Sequence, residues 1–460
     1  MLKPLTCDVA VIGAGTAGLA AYREARATGA RVILIEAGEG GTTCARCGCM
    51  PSKLLLAAAR KARATATAKP FGVSAGAVDI EGRVVMARVR RERDRFVADV
   101  LKELAAIPAP DKLQGRARFA GPDSLTVDDH SLVTARSIVI ATGARPVVPE
   151  DLAEACGERV VTHETVFELA TLPDALAVIG AGPLGLELAL AFARLGVKTT
   201  VFDEGHDIGA VRDPKVGEAV RAVLGREVTL VLGVAVEAKR KADGDVVLSW
   251  KTEDGSAHRA TFSHILAAAG RKPSVDGLDL NLAGLEVDNE GAPVFDPKTL
   301  RCGRSTIFIA GDANDDRPVL HEASLQGELA GRNAARSPDL ERRHPMPVLA
   351  LVYSDPDIAR VGPGFDPAAV KDWMIGCSDG VGRAIIENED AGLLRLYADR
   401  DGMLLGGELF GPDVEHLAHL LAWAVQLKLK AKDVLQLPFY HPTVEEGFRT
   451  ALRDIAAQLD

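Results

Sequence analysis

The apolar positions of this chain fall in short runs that end at glycine-dense turns, and one such arrangement occurs twice. In DVAVIGAGTAGLAAYREARATGARVILIEAG, residues 9–12 predict a buried strand, 13–18 a tight turn, 19–28 a helix and 31–36 a second strand. The same order returns in LAVIGAGPLGLELALAFARLGVKTTVFDEG, from Leu176 to Gly205. An internal repeat of one βαβ unit predicts an α/β protein with two Rossmann-like dinucleotide-binding domains.

Three further segments fit that frame. SIVIATG predicts a strand closing the first domain, with Thr142 and Gly143 at its end, and HILAAAGRKP closes the second, with Gly270 and Arg271 at its exit. STIFIAGDAND predicts a strand over 306–310 that stops at Gly311 and Asp312. From RRHPMPVLALVYSDPD onward the pattern becomes strands (LLRLYADR, MLLGGELFG) followed by a helix (HLAHLLAWAVQLKL), the order of an α+β domain without a dinucleotide signature.

Each glycine turn carries a chemical expectation. Gly13, Gly15 and Gly18 make G-x-G-x-x-G between strand and helix, and Glu36 ends the next strand at the distance of a ribose-binding acid. The first glycine makes the turn, the second admits a pyrophosphate to the helix N-terminus, and the third lets helix and strand pack closely. Gly180, Gly182 and Gly185 repeat the arrangement, with Asp203 as the acid and Pro183 at the helix start. A carboxylate at Asp203 suits a ribose 2'-hydroxyl and repels a 2'-phosphate, which favours NAD over NADP.

Composition narrows the class. At about 150 residues per domain, 460 residues suggest three domains, and an apolar fraction of 47% fills their cores. No run reaches the roughly 18 apolar residues of a membrane span, and MLKPLTCDVAVIG enters a strand without a charged leader, so a cytoplasmic protein is expected. The charge of −10 is mixed along the chain and offers nucleic acid no basic stripe.

Seven cysteines are too sparse for a secreted scaffold, yet Cys44, Cys47 and Cys49 cluster in GTTCARCGCMPSKLLLAAARKAR. A regular helix holds positions i and i+5 too far apart for the roughly 4.4–6.8 Å between Cα atoms that a disulfide needs, so the turn must be irregular, and Gly48 supplies the freedom. Pro51 biases Met50 away from helical geometry and predicts a regular helix from about Pro51 or Ser52. Cysteines near a helix N-terminus tend towards the thiolate, and a short loop gains little from a brace, so the pair suits exchange. A zinc site lacks a histidine at finger spacing. Spacing admits both a Cys44 and Cys49 pair and the C-x-x-C of Cys44 and Cys47, with Cys47 otherwise a small half-buried residue.

Together these features resemble the pyridine nucleotide-disulfide oxidoreductases, most closely the dihydrolipoamide dehydrogenases, over nearly the whole chain. The signature G-G-T-C-x-x-x-x-C-x-P-S-K is matched from Gly41 to Lys53, with Thr42 in place of a glycine. The resemblance implies an FAD-binding domain in two parts (1–145 and 265–342), an NAD-binding domain (146–264) and a dimerisation domain (343–460). It implies that Cys49 lies against the flavin as the charge-transfer thiolate, that Cys44 exchanges with substrate, and that Lys53 approaches the isoalloxazine and pairs with Glu187. Thr43, Thr142, Gly143, Asp312, Leu320 and Ala323 would line the FAD, and Gly270 and Arg271 would touch the nicotinamide side. In FYHPTVEE, His441 would act as the base for the dithiol and Glu446 would orient it, both reaching the site across a homodimer interface.

The implied reaction is oxidation of dihydrolipoamide to lipoamide with NAD, the dithiol being a small molecule or carried on a lipoyl domain, as in the service of a 2-oxoacid dehydrogenase complex. The departures are Phe439 where a second histidine is common, Arg46 and Cys47 between the cysteines, Pro183 beside the nicotinamide site, and Gln326 in place of a glutamate. A glutathione-type reductase would favour NADPH and another residue before Lys53, and a mercuric reductase a C-terminal cysteine pair, whereas the last cysteine is Cys377. A flavoprotein redox sensor or assembly subunit has no need of the base that His441 and Glu446 provide.

Overall fold

The computed structural model describes residues 2–459 other than 75, 243, 381 and 390. Among them the strand Lys3–Ile12 lies inside a seven-stranded sheet, parallel to Val32–Glu36 on one side and Ser131–Ile140 on the other, with Ile12 in register with Ile35 and Ile140. Its run from Val9 to Ile12 is buried, as a strand covered on both faces requires. Ile307–Ile309 adds in parallel to Ser131–Ile140, while Ser124–Val127 and Ala117–Gly121 extend the sheet antiparallel. On this sheet the helices Thr16–Ala27 and Leu320–Arg336 touch backbone to backbone: a Cβ on Gly327 would lie 2.2 Å from the Ala17 carbonyl oxygen, and one on Gly331 2.3 Å from that of Ala21. These elements belong to a compact unit of Met1–Pro51, Arg90–Val147 and Arg271–Pro345.

A second unit comprises Ser52–Val89, Val148–Gly270 and Met346–Asp460. It holds a parallel sheet in the order Thr229–Leu232, Lys198–Asp203, Ala175–Ile179, His264–Ala267 and Val160–Val161. It also holds an antiparallel five-stranded sheet, from Leu349–Val352 to Met374–Ser378, packed by the helices Val414–Gln426 and Glu445–Ala457. Leu55, Leu56, Ala59, Met86 and Val89 share a core with Leu176, Leu186 and Phe192 of this unit. The stretch from Ser52 to Val89 therefore belongs to this unit, although it falls within the 1–145 expected for the first domain. Ile265–Ala267 likewise stays in the second sheet, and the chain returns to the first unit at Arg271.

Two local expectations are corrected. The first helix begins at Thr16, with Gly15 as its N-cap, so Gly18 is helical and not part of the turn. The helix after the cysteines begins at Cys49 and includes Met50. Pro51 is only its third residue, where an amide hydrogen has no intrahelical acceptor and its absence costs nothing.

Candidate active site

The two glycine turns repeat each other down to their hydrogen bonds. Glu36 accepts from the Ala14 N–H at 2.6 Å and the Gly38 N–H at 2.7 Å, and Asp203 accepts from Ala181 at 2.6 Å and Gly205 at 2.7 Å. Both acids are thereby aimed at their own turn. A Cβ on Gly13 would lie 2.4 Å from the Ala141 carbonyl oxygen, and one on Gly18 1.8 Å from that of Gly13. Gly180 and Gly185 are hemmed in alike, at 2.3 Å and 2.1 Å, whereas Gly15 and Gly182 have nothing within 4 Å. The middle glycine of each turn thus faces open space, where a pyrophosphate must come close.

In the first unit that space is a cavity of about 650 Å³, lined among others by Gly15, Glu36, Thr43, Cys47, Thr142 and Gly143. Among the described residues the buried Thr142 hydroxyl has no hydrogen-bond partner, an orphan that a ligand oxygen would satisfy. Open glycine, acid, orphan hydroxyl and cavity size fit a dinucleotide. Asp312 follows Ile307–Ile309 in a 3-10 turn and pairs with Arg271 at 2.5 Å, while Arg271 also donates to the Ala144 carbonyl at 3.0 Å. Arg271, expected on the nicotinamide side, is thus held in the first unit by the carboxylate nearest it, and Gly270 before it has open space and a φ of +112°. Leu320 opens the helix Leu320–Arg336 and is exposed; Ala323, one turn on, is buried. Gln326 is fully buried, and its carbonyl oxygen accepts from the Gly311 N–H and the Asn314 amide.

Between the cysteines the chain makes a short helix, Thr43–Arg46, capped by the Thr42 hydroxyl. A Cβ on Gly48 would lie 3.3 Å from the Cys44 Cα, so this turn doubles back on Cys44 immediately before Cys49. Cys44, Cys47 and Cys49 are all half-buried, and Cys47 lines the cavity. Cys302 differs: burial pushes its thiol up to about 12, which removes it from thiolate chemistry.

In the second unit the Lys53 ammonium meets Glu187 at 2.8 Å, and the other Glu187 oxygen accepts from the Tyr353 N–H at 3.0 Å. Near the C-terminus His441 Nδ1 lies 3.0 Å from Glu446, which stands in the first turn of Glu445–Ala457. The hydrogen bond from His441 holds the Glu446 carboxyl below the usual carboxylate range. The imidazole is 79% exposed, so the ring is oriented by its own chain and open to a ligand from outside it. Phe439 turns its ring to the Arg449 guanidinium, 5.6 Å away, and packs on the domain core.

Residues 7–327 match the family described as pyridine nucleotide-disulphide oxidoreductase, and residues 348–452 match its dimerisation domain. The chain belongs to this family. It is 30% identical to the dihydrolipoyl dehydrogenase of Halobacterium salinarum, over 96% of this chain and 94% of the relative. It is 28% identical to a mercuric reductase of Bacillus cereus, over 97% of this chain and 71% of the relative. Its fold matches the HOCl-induced flavoprotein disulfide reductase RclA from Escherichia coli, with a TM-score of 0.82 and 23% identity over all of both chains when that protein carries Cu(II). Membership makes the protein an FAD-dependent oxidoreductase that uses a nicotinamide dinucleotide, and the two repeated turns are where it would hold them. No helix among the described residues is long and apolar enough to cross a membrane.

Sequence reasoning missed Tyr353 and the buried cluster around Glu408. That carboxylate accepts from the backbone N–H groups of Arg212, Asp213 and Phe365, while Asp213 receives Arg395 and the Tyr397 hydroxyl. The available signal was a charge inside an apolar strand, at Glu408 in MLLGGELFG and Arg395 in LLRLYADR.

Proposed function

We propose that the protein oxidises a small dithiol of the dihydrolipoamide class, with NAD as the acceptor. The observation that carries this reading is the His441 and Glu446 pair: a histidine oriented through one ring nitrogen, with its ring exposed, is a base built for turnover. With Glu446 accepting from Nδ1–H, Nε2 carries the lone pair that removes a substrate thiol proton. The thiolate attacks Cys44 in the Cys44 and Cys49 disulfide, and Cys49 leaves as a thiolate. The second substrate thiol then displaces Cys44, releasing a cyclic disulfide and leaving the enzyme pair reduced. Bound FAD supplies the relay of that electron pair to the nicotinamide. The balance is dithiol plus NAD⁺ giving disulfide, NADH and a proton.

Asp203 favours NAD, because the carboxylate at its turn would repel a 2'-phosphate. The dimerisation domain supports a homodimer. So do exposed apolar side chains of the C-terminal domain: Trp423 is 61%, Leu427 68% and Tyr440 82% exposed. In that dimer His441 and Glu446 would serve the thiols of the other subunit, and a 2-oxoacid dehydrogenase complex would be the larger partner. The relative named mercuric reductase favours a second reading, a reductase that runs electrons from the nicotinamide outward. Steady-state oxidation of dihydrolipoamide with NAD and with NADP, beside reduction of glutathione disulfide and Hg(II) by either reduced cofactor, separates the two. Turnover only in the reductive assays would replace the first reading with the second.

A further inference from the structure

Lys53 is a flexible side chain given a fixed direction, and its partner Glu187 explains only half of that. A lysine ammonium on its four-carbon stem can swing about a single carboxylate contact. Glu187 itself cannot swing: it is 5% exposed on the helix Pro183–Arg194, with one oxygen on Lys53 and the other on the Tyr353 N–H. The Lys53 ammonium also lies 4.5 Å from the centroid of the Tyr353 ring, inside cation–π range. Tyr353 follows the strand Leu349–Val352, so its backbone and its ring act on the same ion pair from a rigid support.

We propose that Tyr353 is a positioning residue for Lys53: its ring face holds the ammonium while its N–H fixes the carboxylate that the ammonium pairs with. The inference rests on the reading that Lys53 serves the flavin, and deepens it. Burial, and then the carboxylates Glu415, Asp357 and Glu187 around the ring, push the Tyr353 phenol above its ordinary value, so the ring presented to Lys53 is neutral. The π face, and not the phenol oxygen, meets the ammonium. Phenylalanine should therefore replace tyrosine here, and leucine should not, although leucine keeps the backbone N–H on Glu187.

The test is NMR of the protein labelled with ¹³C at the lysine ε carbon, with the Lys53 resonance identified by its disappearance in Lys53→Met. Ring-current shielding should displace the Lys53 ε-methylene signal upfield in the wild type and in Tyr353→Phe, and return it to the ordinary lysine position in Tyr353→Leu. A wild-type signal at the ordinary position overturns the proposal without any variant, so failure of Tyr353→Leu to fold does not protect it. A displaced signal that is unmoved in a folded Tyr353→Leu overturns it equally. In the holoenzyme, the visible flavin band of Tyr353→Leu should shift in the same sense as that of Lys53→Met, with Tyr353→Phe unchanged. A displaced lysine signal with a flavin band indifferent to Lys53→Met would instead refute the role of Lys53 at the flavin, and so tells the two failures apart.

Discussion

Replacing each glycine of the first G-x-G-x-x-G by alanine should separate folding from cofactor binding. A Cβ at Gly18 would stand 1.8 Å from the Gly13 carbonyl oxygen, where such atoms essentially never come within 3.0 Å, so helix and strand must part by more than an ångström. Overpacking of that kind costs about 1–3 kcal/mol, and rigid backbone on both sides puts Gly18→Ala at the upper end. Gly13→Ala combines a 2.4 Å contact with a φ of +100°, which adds about 1–2 kcal/mol of strain for a residue with a Cβ. Gly15 has neither problem: its φ is −75° and nothing lies within 4 Å. Gly15→Ala should leave the apoprotein within about 0.5 kcal/mol of wild type, the loss of glycine at an N-cap being offset by a less flexible unfolded chain.

The order reverses for FAD. A methyl group at Gly15 occupies the approach to the backbone N–H groups of the turn, and a hydrogen bond to a charged oxygen is worth about 1.5–3 kcal/mol, so affinity should fall at least about tenfold. Thermal melts of the apoprotein by circular dichroism read the first effect, and titration of flavin fluorescence reads the second. Gly182→Ala is the internal control, weakening the nicotinamide dinucleotide while sparing FAD. If a folded Gly15→Ala binds FAD as wild type does, or if the apoprotein of Gly18→Ala melts no earlier than wild type, the division of labour among the glycines is wrong.

Three further outcomes are expected. Burial, with the neighbouring Glu415 carboxyl, raises Asp357 to about 8, above an unfolded value of about 4, so the folded state binds the extra proton between those values. Stability should fall as pH rises through that window and level off above it; urea midpoints at pH 6 and pH 9 should differ more in wild type than in Asp357→Asn, and equal differences would refute this. Glu408→Leu leaves three N–H groups without their acceptor and should cost about 3 kcal/mol or more, read as a lowered denaturation midpoint. Cys47→Ser should keep most dithiol turnover while Cys44→Ser abolishes it, because Cys47 lines the cavity that the dinucleotide would fill; equal loss would move the pairing to Cys44 and Cys47.

The turns at Gly13 and Gly180 were legible because their constraint is local: strand, glycine spacing, helix and acid all lie within about two dozen residues. The contact of Glu446 with His441 was legible for the same reason, since they stand five positions apart. The packing of Ser52–Val89 was not, since Leu55 and Met86 look alike as apolar residues whichever core they enter. Neither was the bond from the Tyr353 N–H to Glu187, which joins residues 166 positions apart through an atom every residue possesses. The helix start at Cys49 was misread because the bias on a residue before proline is a preference and not a prohibition, and in a first turn proline neither removes an intrahelical hydrogen bond nor meets a preceding carbonyl.

The arrangement of the proposed base bears on how the enzyme would be assembled. His441 and Glu446 are oriented by the Thr443 backbone and the first turn of Glu445–Ala457, all from the same short segment. Their hydrogen bond therefore forms when the C-terminal domain folds and needs nothing from a second chain. If His441 is the base, dimerisation would have only to deliver a preformed and exposed pair, at the entropic cost of bringing two bodies together and not of ordering a loop. Exposed apolar side chains such as Trp423 and Leu427 would suit that task, because packing between subunits fixes position without engaging the imidazole.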